Sequence, residues 1–287
     1  MAVVDAHLHL FRSEDEGLLA QGGERQAGYA GVLDEARTIL DRGRIDRAVV
    51  ASALPVAIWR QVFGPRVGEG IEEHVLALAV AQNTELLELC GRDPRLSLAV
   101  GADATLPATQ LEHLDELVSR GGVCAIKIHP GLNFVMPSDD GFLPVFEFAR
   151  EAGLPVISHG GGAAEGLYDS DIDFCAAANF VPVLETFRGV PLVVAHFAHP
   201  YVDDLVEMGG RFPNLHTDLS FALGADLLPG DTLRDAIRSF GVERVLFGTD
   251  FPYFDPEASL DRLLSCGLSD DELSAVTGEN AAKIYTS

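Results

Sequence analysis

Eight short β-branched or apolar runs recur along the chain, each followed by a Gly/Pro/Asp-rich break and then a longer stretch with helical spacing. They centre on Val3–Leu8, Arg47–Ala53, Leu96–Ala102, Val123–His129, Pro155–His159, Leu192–His196, Leu215–Leu219 and Val245–Asp250. Strands separated by helices join through crossovers, which makes their sheet parallel, and eight is the number that closes a barrel. The predicted fold class is therefore α/β: a (β/α)8 TIM barrel, slightly distorted, with short C-terminal helices. Such barrels run to about 250 residues as one unit. The 287 residues contain no Pro/Ser/Gly linker, internal repeat or low-complexity tract, so residues 1–287 read as a single domain.

Helix signals lie between the strands. Pro107–Arg120 places Leu111, Leu114, Leu117 and Val118 on one face and stops at Gly121-Gly122. Asp231–Phe240 repeats the logic before Gly241, and Asp255 caps a helix that runs from Pro256 through Leu264 to Gly267. Ser269 to Tyr285 reads as two short helices broken at Gly278. The loops rich in Gly or acid, Ser13–Gly31, Gly131–Gly141 and Gly160–Asp173, all follow strands. In a barrel, these loops surround the site.

Twenty Lys and Arg stand against 44 Asp and Glu, a formal charge of −24, and only two lysines occur, Lys127 and Lys283. That balance argues against nucleic acid or an anionic membrane as partner and leaves a small-molecule substrate. The four cysteines form no CxxC pair and read as reduced, mostly buried thiols. The N-terminus shows no basic region followed by an apolar one, and the expectation is a cytoplasmic protein.

Five of the nine histidines sit at or near the C-terminal end of a predicted strand: His7, His9, His129, His159 and His196; Asp250 ends the eighth. His7 and His9, two apart on one strand, project to the same side. Neutral imidazoles and a carboxylate are ligands that zinc and its neighbours accept. Taken singly, each histidine could be a satisfied polar group at a strand end, and Asp250 could merely start a turn before Pro252. Their coincidence at the mouth of several strands points to a metal site. Gly160-Gly161-Gly162 lacks the Lys-Ser/Thr of a phosphate loop and reads as slack beside His159. No GxSxG elbow appears, and no cysteine has an evident base. His74 and His113 read as solvent-facing, His199 as part of a surface turn, and His216 and Asp218 as facing either the helices or the barrel interior.

Asp5-Ala6-His7-Leu8-His9, Lys127-Ile128-His129-Pro130, Ile157-Ser158-His159, Ala195-His196 and Phe247-Gly248-Thr249-Asp250-Phe251-Pro252 together resemble the ordered signature of the amidohydrolase superfamily. More narrowly, they resemble its amidohydrolase-related branch of TIM-barrel hydrolases and decarboxylases, which includes aminocarboxymuconate semialdehyde decarboxylase. The resemblance implies one divalent metal ion, zinc first and Mn2+ as the other option, held by His7, His9, His159 and Asp250. It places His196 beside the activated water, with His196 and Asp250 as catalytic groups, and it implies a homodimer. His129, Arg12 and Lys127 are the substrate-facing candidates; binuclear members carry a carboxylated lysine on the fourth strand, where Lys127 lies, but Lys127 sits two residues inside the strand end and its Lys-x-His-Pro pattern resembles the mononuclear branch.

The expected activity is metal-dependent hydrolysis, an activated water attacking an ester, lactone or amide carbonyl. Non-oxidative decarboxylation of an aromatic or unsaturated acid is the alternative, and a non-catalytic metal-binding barrel is the second alternative. The surface charge generates a prediction that needs no site. Mutual repulsion among the 44 carboxylates is screened by salt, so the melting temperature should rise between roughly 0 and 0.5 M NaCl. A scanning fluorimetry series in which it falls would overturn this.

Overall fold

The computed structural model describes residues 2–162 and 173–285. Eight parallel strands run in chain order, each hydrogen-bonded to the next: β1 Val4–Leu8, β2 Arg47–Ala51, β3 Leu96–Gly101, β4 Val123–Ile128, β5 Val156–Ser158, β6 Leu192–Val194, β7 Leu215–Asp218 and β8 Val245–Leu246. Backbone bonds from the segment beyond β8 close the ring onto β1: Ala6 N–H donates to Phe247 O at 2.8 Å, Asp250 N–H to His7 O at 2.8 Å, and His9 N–H to Phe251 O at 2.7 Å. The fold is a TIM barrel with extra C-terminal helices.

Around it lie α1 Glu14–Ala20, α2 Leu33–Asp41, α3 Val56–Val67, α4 Ile71–Cys90, α5 Gln110–Ser119, α6 Pro130–Asn133, α7 Leu143–Ala152, α8 Val181–Thr186, α9 Val202–Gly209, α10 Gly230–Phe240, α11 Pro256–Leu264, α12 Asp270–Ser274 and α13 Asn280–Ile284. α2 shows why they dock. Leu33, Ala36, Ile39 and Leu40 recur at helical spacing and are buried against the sheet, while the Glu35 carboxylate accepts the backbone N–H of Ala30, Gly31 and Val32 at the helix entrance. Inside the barrel, apolar side chains from seven of the strands, Ala6, Val49, Ala99, Ala125, Ile157, Val193 and Leu246, form a second core that Ala281, Ile284 and Tyr285 cover from the C-terminal segment. No described helix is long and apolar enough to cross a membrane. The four cysteines are free and buried.

Several boundaries differ from the sequence reading. The helix expected from Pro107 begins at Gln110, because the Gln110 side chain folds back to accept from Asp103 N–H and donate to Asp103 O, holding the preceding residues in a turn. The expected break at Gly278 is instead a π-helical turn, Ala275–Glu279, linking α12 to α13. There a Cβ on Gly278 would lie 2.0 Å from Ala2 O, so the glycine admits the N-terminal strand. Gly160 and Gly161 are not slack: a Cβ on Gly161, at φ +85°, would lie 2.0 Å from His199 O. They allow the chain after β5 to press against the one after β6. Most of the loop expected over Gly160–Asp173 lies outside the described residues.

Closure also rests on one buried carboxylate. Asp5 accepts from Thr249 N–H at 3.0 Å, Thr249 Oγ1–H at 2.5 Å and His7 N–H at 3.1 Å. Replacing Asp5 with Ala strands these donors in a dry site, and the expected cost is about 1–3 kcal/mol of unfolding free energy. Urea denaturation checks it; an unchanged midpoint would show that the closure does not need the carboxylate.

Candidate metal centre

All the sequence-predicted site residues except Arg12 collect at the C-terminal mouth, on β1 and β4 or just beyond the ends of β1, β4, β5, β6 and β8. His7 and His9 lie side by side, ring centroids 5.2 Å apart. His9 Nε2 lies 3.2 Å from Asp250 Oδ1, and His196 Nε2 lies 3.1 Å from His159 Nδ1. Ligand atoms of His7, His196 and Asp250 all fall within 4.8 Å of one another. That spacing is on the order of two ligand bonds of about 2.0–2.2 Å each. His9 joins this triple through Asp250, and His159 through His196.

Local backbone geometry aims these groups. His196 and Asp250 both adopt left-handed conformations, φ 63° and φ 59°. Non-glycine residues in that region cost on the order of 1 kcal/mol or more and persist only where surrounding structure holds them. Here Asp250 N–H is bonded to His7 O and His196 N–H to Asp218 Oδ1. His129 caps α6 by accepting Leu132 N–H at 3.1 Å, and its ring stacks on His159 with centroids 4.0 Å apart.

Depth divides the set. His7 and Lys127 are buried, with Lys127 Nζ 3.3 Å from His7 Nε2, whereas His9, His129 and His159 are partly exposed at the mouth. Burial, with Lys127 nearby, draws His7 down to about 4, and burial alone draws Lys127 down to about 8. Burial likewise pulls His129, His159 and His196 below the ordinary imidazole value. For Asp250, burial pushes upward but is outweighed by His9 and the other surrounding imidazoles, which hold the carboxyl below its ordinary range. Neutral imidazoles beside an ionised carboxylate are the donor set a divalent cation needs, so the residues fit the ion that the sequence pattern implies.

Three sequence readings meet other surroundings. Arg12 is half-exposed and commits its guanidinium to Glu16 and to Glu85, the latter at 2.7 Å, because Glu16 stands one turn along in α1; it does not join the cluster. His113 is not simply solvent-facing, since its Nε2 is buried without a partner and burial lowers its pKa. His216, too, has a buried Nδ1 without a partner and stays apart from the cluster.

Two residues that sequence reasoning did not place in the site are central to it. Asp218 Oδ2 accepts from His7 Nδ1 at 2.9 Å, and Ser220 Oγ lies 2.8 Å from His196 Nδ1. The signal was available in Thr217-Asp218-Leu219-Ser220, a carboxylate and a hydroxyl at the end of a strand. Tyr253, its ring 5.9 Å from His9, and Phe221, 6.0 Å from His196, line the same mouth.

This arrangement gathers histidines and an aspartate at the strand ends of a (β/α)8 barrel, a donor set that fits a divalent metal ion. The Amidohydrolase family model matches residues 4–286, and the chain belongs to that family. Among solved structures, it is similar to 5-carboxyvanillate decarboxylase from Sphingomonas paucimobilis, with TM-score 0.72, 16% identity and coverage of 99% of this chain and 98% of that one. 2,6-Dihydroxybenzoate decarboxylase from Rhizobium gives TM-score 0.75 at 14% identity, covering 99% and 98%. A 5-carboxyvanillate decarboxylase from Novosphingobium aromaticivorans, solved with bound manganese, gives TM-score 0.70 at 13% identity, covering 99% and 97%. At these identities the likeness is one of fold. No curated protein matches the chain.

The lowered imidazoles carry a pH prediction. For His7, His113, His129, His159, His196 and His216, the unfolded chain takes up protons near 6.5 before the folded one does, and His7 and His216 wait until about 4. Stability is then complete above about pH 6.5 and falls as pH drops toward about 4. Asp5 and Asp103, raised by burial, act in the opposite direction, two groups against six. The urea midpoint should therefore be lower at about pH 5 than at about pH 7.5; equal midpoints would contradict the assignment of buried neutral imidazoles.

Proposed function

We propose that the protein is a metal-dependent hydrolase of small substrates bearing an uncharged ester, lactone or amide carbonyl. The observation that carries this reading is the charge around the cluster. Lys127 is the one cationic side chain within it among the described residues, whereas Arg12, Arg25 and Arg60, in the segments after β1 and β2, are tied to Glu16, Glu85, Glu14, Glu35 and Glu72. The segment 163–172 contains no Lys or Arg in its sequence. Such a mouth has little with which to hold a second anionic group.

His7, His9, His159 and Asp250 would hold the ion, zinc being the first candidate, and Nε2 of His196 faces the same space. A bound dication supplies Lewis acidity, polarising a carbonyl and making water acidic enough to deprotonate near neutral pH. The ionised Asp250 carboxylate is the proton acceptor, with Oδ1 oriented by His9. Neutral His196, with a ring nitrogen within 4.8 Å of an Asp250 carboxylate oxygen, takes that proton from Asp250 at Nε2 and gives it to the leaving group. Tyr253 and Phe221 narrow the mouth and limit water around the reacting carbonyl. His129 and Lys127 remain the candidate substrate-facing groups.

Decarboxylation is the second reading, favoured by the structural likeness to 5-carboxyvanillate and 2,6-dihydroxybenzoate decarboxylases. A panel of lactones, aryl esters and aromatic acids, assayed with Zn2+ and Mn2+ for acid release and for CO2, separates the two. Turnover of neutral carbonyl compounds is expected; CO2 release from acids alone would replace hydrolysis with decarboxylation. His196→Ala should lower kcat by about 100- to 10,000-fold while leaving most of the bound metal. Loss of metal in proportion to activity would assign His196 to ion binding instead.

A further inference from the structure

Asp218 is buried at the end of β7, and its two oxygens face different partners. Oδ2 lies 2.9 Å from His7 Nδ1. Oδ1 accepts the backbone N–H of His196 at 3.0 Å and of Ser220 at 3.1 Å, and it also takes the Ser220 hydroxyl hydrogen in a short bond. With three donors gathered on Oδ1, Asp218 is placed as an acceptor, and His7 carries its proton on Nδ1, directed at Oδ2.

The same counting fixes His196. Ser220 has one hydroxyl hydrogen, already directed at Asp218, so at 2.8 Å its oxygen must accept from His196 Nδ1–H. A third observation agrees: Lys127 Nζ, 3.3 Å from His7 Nε2, is a donor facing the nitrogen left bare. His196 Nε2 is bare in the same way and can accept from His159 Nδ1. The network thus leaves Nε2 lone pairs of His7 and His196 directed at the space shared with Asp250.

We propose that Asp218 and Ser220 are a positioning pair that holds His7 and His196 in the Nδ1–H tautomer, Asp218 directly and Ser220 as the relay to His196. The inference rests on the metal-site part of the proposed function, but the tautomers themselves can be read without turnover. In Asp218→Asn, the three donors around Oδ1 keep the amide oxygen there and turn its NH2 toward His7 Nδ1. His7 must then accept at Nδ1 and move its proton to Nε2. His196 keeps its bond to Ser220. Ser220→Ala does the reverse, removing the acceptor of His196 while leaving His7 on Asp218.

Long-range 1H–15N correlation spectra of histidine-labelled protein report which ring nitrogen is protonated. The wild-type protein should show Nδ1–H for both rings; Asp218→Asn should convert His7 alone, and Ser220→Ala should release His196 alone. An Nε2–H signature for either ring in the wild type, or variants that leave both rings unchanged, would overturn the proposal. If Asp218→Asn does not fold, the Ser220→Ala spectrum alone still decides the His196 half. Zn2+ competition with a chromophoric chelator adds a second readout, with affinity expected to fall about 10- to 100-fold in Asp218→Asn. Unchanged affinity would break the link between tautomer and ion. A wild-type protein that binds no Zn2+ but shows both tautomers would instead sink the metal reading of the proposed function and leave the positioning pair intact.

Discussion

The closure of the last strand onto the first determines almost everything else in this molecule. Beyond Leu246 the chain is no longer a regular strand, yet Phe247, Asp250 and Phe251 each exchange a backbone bond with Ala6, His7 or His9. Those bonds bring the carboxylate of Asp250 to 3.2 Å from His9 although 241 residues separate them along the chain, counting from 9 to 250. A slip at this seam would leave a barrel of the same outline with its donors scattered. Asp5, directly beneath, ties the seam through Thr249.

Bonds to a neighbouring strand, at the seam for Asp250 and between the ends of β6 and β7 for His196, explain how these two left-handed residues can be tolerated. His196 and Asp250 end their strands in conformations that unfavourable contacts with Cβ ordinarily discourage. Each N–H is accepted by a group belonging to another strand, His7 O for Asp250 and the Asp218 carboxylate for His196. The strain is therefore offset by bonds between strands, and the same bonds turn the side chains inward. A regular β continuation would have alternated them across the sheet instead.

The barrel was legible because its signal is repetitive. Each of the eight runs became a strand, and the ends of α10 and α11 fall within a residue of their expected positions. Strand ends were less legible, because β8 was expected to reach Asp250 but loses regular pairing after Leu246. The HxH pair, His159, His196 and Asp250 could be read because ligand-type residues at strand ends are conspicuous in an apolar context. Arg12 could not be resolved in the same way: its environment depends on Glu85, 73 residues away and on α4. Asp218 was hidden for a similar reason. A carboxylate at a strand end can face helices or barrel, and only the register with β8 and the position of His7 decide between them.

Charge inside the barrel imposes a further constraint. At neutral pH, the two ionised carboxylates Asp250 and Asp218 face the ammonium of Lys127 across a set of neutral rings, which leaves the enclosed group about one negative charge in excess. Isolated excess charge in a dry interior is costly, and paired donors offset that cost only in part. The excess is absorbed asymmetrically. Asp218 is satisfied by four donors, from His7, Ser220 and the backbone of His196 and Ser220, whereas Asp250 Oδ1 faces, at 3.2 Å, a His9 Nε2 whose ring hydrogen is on Nδ1 and donated to Ala51 O. The under-coordinated carboxylate is the one at the mouth, beside bare imidazole nitrogens, and the fully coordinated one is behind them. A barrel whose histidines were merely satisfied polar groups would have no reason to leave its acceptors unequal in this direction. A dication placed at the mouth would reverse the excess and satisfy Asp250 at the same stroke, which is the physical argument for reading these residues as a ligand set.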